Sequence, residues 1–254
     1  MKQSIILWIS AIIIVFVVSF AQHISSNEFP LSGTVDVGGG NKVSFSFDKI
    51  AHTKNGYPVL LVSDSAGLQA VLFWKNEIES SWRSITMKDS LNFLSAIIPQ
   101  QLPRSKVEFR IHLKNKNTTF LLPVKNNASF TFLKPIPDEI NQFYFITLFA
   151  GLILAVRTAL ESFSGRPKTK KLTVFASIAF FSYTFVFSTV KKGVEIGAIG
   201  NGGIPLSDIF DQRSILLFSV SILTLILIFN TKNSKLWTAL GAISALVIFL
   251  FAKY

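Results

Sequence analysis

The chain contains no cysteine. That excludes a small secreted fold stapled by disulfides, and any zinc or iron–sulfur centre held by thiolates. Histidine is nearly as scarce: His23, His52 and His112 are the three. None falls in the hydrophobic C-terminal half, which excludes bis-histidine haem ligation inside a helical bundle. A histidine metal site would need these scattered residues to converge, and period-two patterning puts His112 on the solvated face of its strand. No spacing of serine, histidine and acid suggests a hydrolase. No catalytic residue, metal or cofactor is therefore expected. The run Gly200-Asn201-Gly202-Gly203 lacks the Lys-Ser/Thr that completes a phosphate loop, and it does not follow a strand.

Acids are few as well, 14 against 25 lysines and arginines, for a net charge of +11. In a soluble protein that excess raises nucleic-acid binding. Counting by region removes the reading. Residues 22–138 hold 13 Lys/Arg and 9 Asp/Glu, a net of +4, with no block of like charge. The remaining excess flanks hydrophobic runs, where membrane topology calls for it. No nucleic-acid partner is expected.

Half of the 254 residues are hydrophobic, and they are concentrated in long runs. Five runs approach the length that crosses a bilayer: Ser4–Ala21, Phe143–Leu160, Leu172–Val190, Ser214–Phe229 and Leu236–Ala252. Lipid offers backbone groups no water, so each must be helical. Residues 1–21 read as a signal peptide cleaved after Ala21, or as an uncleaved N-terminal transmembrane anchor. Residues 139–254 read as a four-helix transmembrane domain. Arg157 near the end of the second run and Arg166, Lys168, Lys170 and Lys171 after it make one basic group, and Lys232 and Lys235 lie between the last two. Both basic loops are expected in the cytoplasm, with the region between the first two runs and the C-terminus outside it.

That region, residues 22–138, changes to period two. Val43, Phe45 and Phe47 alternate with Ser44, Ser46 and Asp48; Val107, Phe109, Ile111 and Leu113 alternate with Glu108, Arg110 and His112; Phe130 and Phe132 alternate with Ser129 and Thr131. Further strands are expected at Leu31–Val37, Pro58–Ser63, Gln69–Trp74, Trp82–Met87, Leu91–Ile98 and Thr118–Pro123, separated by Gly- and Asn-rich turns. Seven to nine short strands predict an all-β sandwich. Without disulfides it must stand on its core, for which about 115 residues suffice.

Two resemblances follow. Leu102-Pro103-Arg104-Ser105-Lys106-Val107-Glu108-Phe109 resembles the corner before the penultimate strand of fibronectin type III and other immunoglobulin-like domains, with Phe109 standing where they carry a tyrosine. The order of Leu94–Leu122, the Pro135/Pro137 pair, Arg157-Thr158-Ala159-Leu160-Glu161 and a Gly-rich loop ending Asp208-Ile209-Phe210-Asp211 resembles a group of uncharacterised bacterial inner-membrane proteins. The resemblance implies an extracytoplasmic immunoglobulin/fibronectin-III-like β domain followed by four transmembrane helices, in the bacterial inner membrane. It implies no activity.

Two sets of residues stand out. Arg157 and Glu161, spaced i, i+4, can pair on one helical face at the cytoplasmic end of their span. Glu195, Asp208 and Asp211 lie in a Gly-rich outward loop that can bind a cation or a basic partner; alternatively Asp211 or Ser207 only caps the next helix. The hydroxyls of Ser177, Ser182, Tyr183, Thr184, Ser188 and Thr189 serve helix packing or line a polar pathway. The expected function is a non-catalytic membrane protein. It would be a binding, scaffold or accessory subunit that displays the sandwich to another membrane or periplasmic protein, with lipid as its other partner. A small transporter using the acidic loop is the alternative, and a membrane enzyme of envelope metabolism a second.

Overall fold

The computed structural model describes residues 2–25, 30–38, 42–52, 55–63, 67–90, 93–115, 118–124, 127–164, 168–198 and 210–252. They form two compact units, one of residues 27–135 with 195–197, the other of the remainder.

The first unit is sheet-rich. Eleven strands are described: β1 Leu31–Asp36, β2 Lys42–Phe47, β3 Ile50–Ala51, β4 Tyr57–Ser63, β5 Gln69–Asn76, β6 Arg83–Thr86, β7 Lys88–Ser90, β8 Phe93–Ile98, β9 Lys106–Asn115, β10 Thr118–Leu122 and β11 Ala128–Phe132. They make two sheets. One has the order β1-β2-β4-β8-β7; the other has the order β3-β11-β9-β5-β6, with β10 folded back on β9. Every pairing is antiparallel except β3 with β11. The strands β3 and β7 are two and three residues long, too short for alternation to announce them.

The two inner faces enclose one apolar core. Val43 and Phe47, Val59 and Leu61, and Leu94 and Ile98 come from the first sheet; Leu72 and Trp74, Val107, Phe109, Ile111 and Leu113, and Phe130 and Phe132 come from the second. Aromatic rings knit it. Phe109 meets Phe47 edge-on at 5.0 Å between centroids, and Tyr57 stacks on Phe130 at 3.9 Å. Phe109 has no hydroxyl with which to tie the corner before β9. The backbone does that work instead, with Ser105 N–H on the Leu102 carbonyl at 3.0 Å and Arg104 N–H on the Phe132 carbonyl at 2.7 Å. The phenol that does bridge lies elsewhere: Tyr57 donates to the Asp48 carbonyl at 3.1 Å.

The second unit holds five helices, each long and apolar enough to cross a membrane: α1 (Lys2–Ser25), α2 (Asp138–Glu161), α3 (Thr169–Glu195), α4 (Gln212–Asn230) and α5 (Ser234–Phe251). A π-helical segment, Ser182–Ser188, interrupts α3. In α2 through α5 each helix packs on the next, and α5 closes on α2; α1 lies against α2 and α5. Ala11 and Val15 of α1 are buried in the same cluster as Leu148, Leu152, Phe180, Leu217 and Ala245. Small residues permit the close approaches. A Cβ on Gly151 would stand 2.7 Å from the Phe180 ring, and one on Gly241 would collide with Thr224. The outer faces are apolar, with Ile6, Phe16, Phe175, Leu223 and Ile243 all more than half exposed.

Burial pushes the Tyr57 phenol up to about 12, helped by the Asp48 charge. The unfolded chain therefore ionises first, and stability falls as pH rises from 10 towards 12. Tyr57→Phe is expected to lower the stability of the β unit by about 1 kcal/mol at neutral pH. It should also flatten that alkaline limb, as measured by denaturant titrations across pH.

Candidate functional site

Of the acidic loop trio, Asp208 lies outside the described residues, as do Arg166, Ser207 and glycines 200, 202 and 203. Glu195 groups with the β unit, where its carbonyl accepts the Lys134 N–H at 2.9 Å. Asp211 belongs to the helical unit and occupies the N-cap of α4, yet its side chain makes no capping bond. The link at that cap runs the other way, from Ser214 Oγ to the Asp211 carbonyl at 2.7 Å. Asp211 Oδ2 is buried without a hydrogen-bond partner. Burial raises the pKa of this carboxyl, against the pull of Arg213 and Lys192. An acid whose folded pKa is raised loses stability as pH climbs above its unfolded value. Asp211→Asn is therefore expected to match or exceed the wild-type melting temperature at pH 8. The difference should vanish as pH falls towards 4, measured by thermal melts in detergent.

Arg157 and Glu161 form an ion pair along α2. The i, i+4 spacing fixes their proximity. Their burial is set by other helices. The side chains are only 4% and 8% exposed, so Arg157 does not extend to solvent. Its Nη2 donates to Ser4 Oγ at 3.4 Å, and the guanidinium stacks on Trp8 at 5.5 Å, both in α1. Ser164 Oγ donates to Glu161 Oε1 at 3.3 Å. Beside them Ser162 and Thr238 hydroxyls meet at 2.6 Å, joining α2 to α5. A small cavity of about 20 Å³ lies between α2, α3, α4 and α5; its surface is almost wholly apolar, formed by Ala155, Ala176, Phe180, Val220, Ala242 and Ala245, with Thr158 and Thr238 at its edge. It is water-sized but offers a water little to hydrogen-bond.

Further polar groups gather around the π-helical segment. Tyr144 and Tyr183, both buried, share a hydroxyl contact at 3.1 Å, and Lys191 Nζ sits 4.0 Å over the Tyr144 ring. Thr184 donates to the Ser214 carbonyl at 2.8 Å. Arg213, 1% exposed, donates through Nε and Nη2 to the Ala252 carbonyl just past α5, at 3.2 and 3.0 Å. A cation in the first turn of α4 opposes that helix's own dipole; here it answers the negative end of α5. In the sequence Lys191 and Arg213 read only as charges of the outward loop, and nothing marks Tyr144. The one signal available was a charge or phenol at the edge of an apolar run.

On the β unit, the outer face of the second sheet carries a ladder of cations and rings. Arg110 stacks on Trp82 at 4.5 Å and Phe73 at 5.9 Å, Lys75 reaches Trp82 at 5.3 Å, and His112 packs on Phe73 at 4.6 Å. His112 is thus half-buried under its neighbours, not fully solvated as its alternation predicts. Alternation gives a face, and the pairing of β5 with β9 gives the cover. His23 sits in the last turn of α1, and His52 Nδ1 lies 3.4 Å from the Lys134 carbonyl. Among the described residues no three His, Asp or Glu side chains cluster to hold a metal.

No family model matches the chain, and no curated protein matches it in sequence. Two solved structures align weakly. A crystal structure of a Br derivative of BhCBM56 covers 42% of this chain and 95% of its own, at 5% identity and a TM-score of 0.25. A crystal structure of a β-1,2-glucanase from Parabacteroides distasonis covers 89% of this chain, at 10% identity and a TM-score of 0.21. This chain spans about a third of that glucanase, 34%. Likeness at this level carries no argument about fold or activity.

The buried pair generates a double-mutant test. Removing one partner strands a charge away from water, at a cost of about 3–5 kcal/mol, whereas an apolar pair of similar volume is close to neutral. Arg157→Leu or Glu161→Leu alone should sharply lower thermal stability in detergent. The double substitution should recover most of it. Additive losses would mean that the two charges do not act as a pair.

Proposed function

We propose that this is a non-catalytic inner-membrane protein that displays an immunoglobulin-like sandwich outside the cytoplasm, as a binding or scaffold subunit. The observation that carries the reading is how the helical unit treats charge. Arg157 is closed on Glu161, Ser4 and Trp8, and Arg213 on the Ala252 carbonyl. Charges sequestered in this way suit a packed anchor better than a solute path.

The strand order supports the immunoglobulin-like reading. In that scheme β2, β4, β8 and β7 take the places of A, B, E and D; β5, β9 and β11 those of C, F and G; and β6 that of C′. The strand β1 is then an addition at the A edge. Exposed apolar faces on all five helices, with hydroxyls and charges turned inward, support membrane placement. The basic stretches at 166–171 and 232–235 support an orientation with both in the cytoplasm. The packing of Ala11 and Val15, and the Ser4 and Trp8 contacts to Arg157, favour α1 as a retained anchor over a removed leader.

The absence of cysteine makes the test direct. Ser129→Cys in the β unit should react with a membrane-impermeant maleimide on osmotically opened cells, and Lys232→Cys only after lysis. The reverse pattern would overturn the topology. The binding role is tested by purification from the native membrane in mild detergent. A stoichiometric protein bound through the β unit and lost when that unit is deleted is the expected result. A protein that carries no other chain, yet turns over an envelope lipid or moves a solute, would overturn it.

A further inference from the structure

The central strands of the first sheet are apolar on both faces. Along β4, Val59 and Leu61 point into the core, while Leu60 and Val62 are 49% and 56% exposed. Along β8, Leu94, Ala96 and Ile98 are buried, while Phe93 and Ile97 are 45% and 58% exposed. Strand register joins the exposed residues into one patch. Pro58 lies opposite Ile97, Leu60 opposite Ser95, and Val62 opposite Phe93. Side chains directly opposite on neighbouring strands are in contact range. The five exposed side chains Pro58, Leu60, Val62, Phe93 and Ile97 make one contiguous apolar patch, on the order of the few hundred Å² at which such patches are often functional.

The flanks of this face say what fits it. On the β2 side, Ser44 is opposite Val62 and in turn opposite Thr34, and Ser32 is opposite Ser46. On the β7 side, Ser90 is opposite Phe93 and Lys88 opposite Ser95. The patch is thus bordered mainly by uncharged hydroxyls. Among the described residues the other charges on this face lie at its ends: Asp36 and Lys42 face each other at one, and Asp48, exposed just past β2, sits at the other.

We infer that this face is the contact surface for a second copy of the same chain, packed sheet to sheet about a two-fold axis running along the strands. That rotation lays β4 of one copy on β8 of the other. The Val62/Phe93 row then meets itself, and so do the Leu60/Ser95 and Pro58/Ile97 rows. Lys88 falls against the Ser32 end of the partner's row, so no like charges meet. A two-fold contact requires this self-complementarity, and paired sheet faces pack at about 10 Å with a modest twist. Two such faces with their hydroxyl flanks remove on the order of 1,000 Å² from water, the lower end for a specific interface. The dimer is accordingly expected to be weak in dilute solution and favoured by confinement to a membrane.

The inference rests on the β unit acting as a binding module, and its test stands apart from the topology test above. The full chain in mild detergent should show a protein mass of two chains by light scattering at micromolar concentration. Val62→Lys with Ile97→Lys should shift it to one chain, raising the dissociation constant at least tenfold. Ser129→Lys, on the other sheet, should leave the dimer intact. Melting temperatures of the variants distinguish a lost interface from a lost fold. Should the lysine pair unfold the unit, Ser95→Cys in the otherwise cysteine-free chain provides a second reading, because a short bismaleimide should join two copies beside the axis. A monomer at all concentrations with no cross-link would overturn the inference. So would a dimer indifferent to Val62→Lys, or a different protein seated on this face.

Discussion

A polar group taken out of water is costly unless it finds a partner inside the same compact unit, and both units are arranged around that constraint, though not at every atom: Asp211 Oδ2 and Arg157 Nε have no hydrogen-bond partner. In the helical unit the demand is sharpest at Arg157. The pairing partner Glu161 comes from the same helix, but one partner leaves a guanidinium with donors to spare. Ser4 and the Trp8 ring supply further cover from α1. The first helix is therefore tied to the second by a charge as well as by Ala11 and Val15. Arg213 follows the same logic, with the end of α5 as its acceptor. The hydroxyls of Thr158, Thr173 and Thr238 return to carbonyls three or four residues back, which lets them be buried at small cost.

The β unit meets the constraint with backbone pairing and hides few polar side chains. Its stability comes from rings: Phe47, Tyr57, Phe109, Phe130 and Phe132 form one connected stack. Such a core needs no disulfide, which is how a chain without cysteine can keep an all-β domain. The lone phenol in that stack is also the one that reaches a carbonyl, at Asp48.

What could be read from the sequence was whatever is periodic and local. Alternation located β2, β9 and β11, and run length located all five helices. It failed where an element is too short to show more than one alternation, as in β3 and β7, and where the outcome depends on which strand lies alongside. His112 alternates as a solvated residue, yet Phe73 of the neighbouring strand covers it. Asp211 is the residue type and position of a helix cap, and its carboxyl lies by the Ser214 and Arg213 N–H groups, but burial raises its pKa and the side chain does not reach cap geometry. The i, i+4 geometry of Arg157 and Glu161 was legible; the depth of the pair was not, because α1 sets it from more than 140 positions away in the chain, at Ser4 and Trp8.

The run Val59-Leu60-Leu61-Val62 shows a different limit. Four consecutive apolar residues in a strand are the mark of burial on both faces. Here only one face meets the core. The same holds across the register in β8, where Phe93 and Ile97 point away from a face already filled by Leu94 and Ile98. An apolar residue alone on a surface needs no explanation. Five in register on adjacent central strands, bordered mainly by hydroxyls, are another matter. The sequence encodes a two-sided strand pair, and a single copy of the chain covers one side of it.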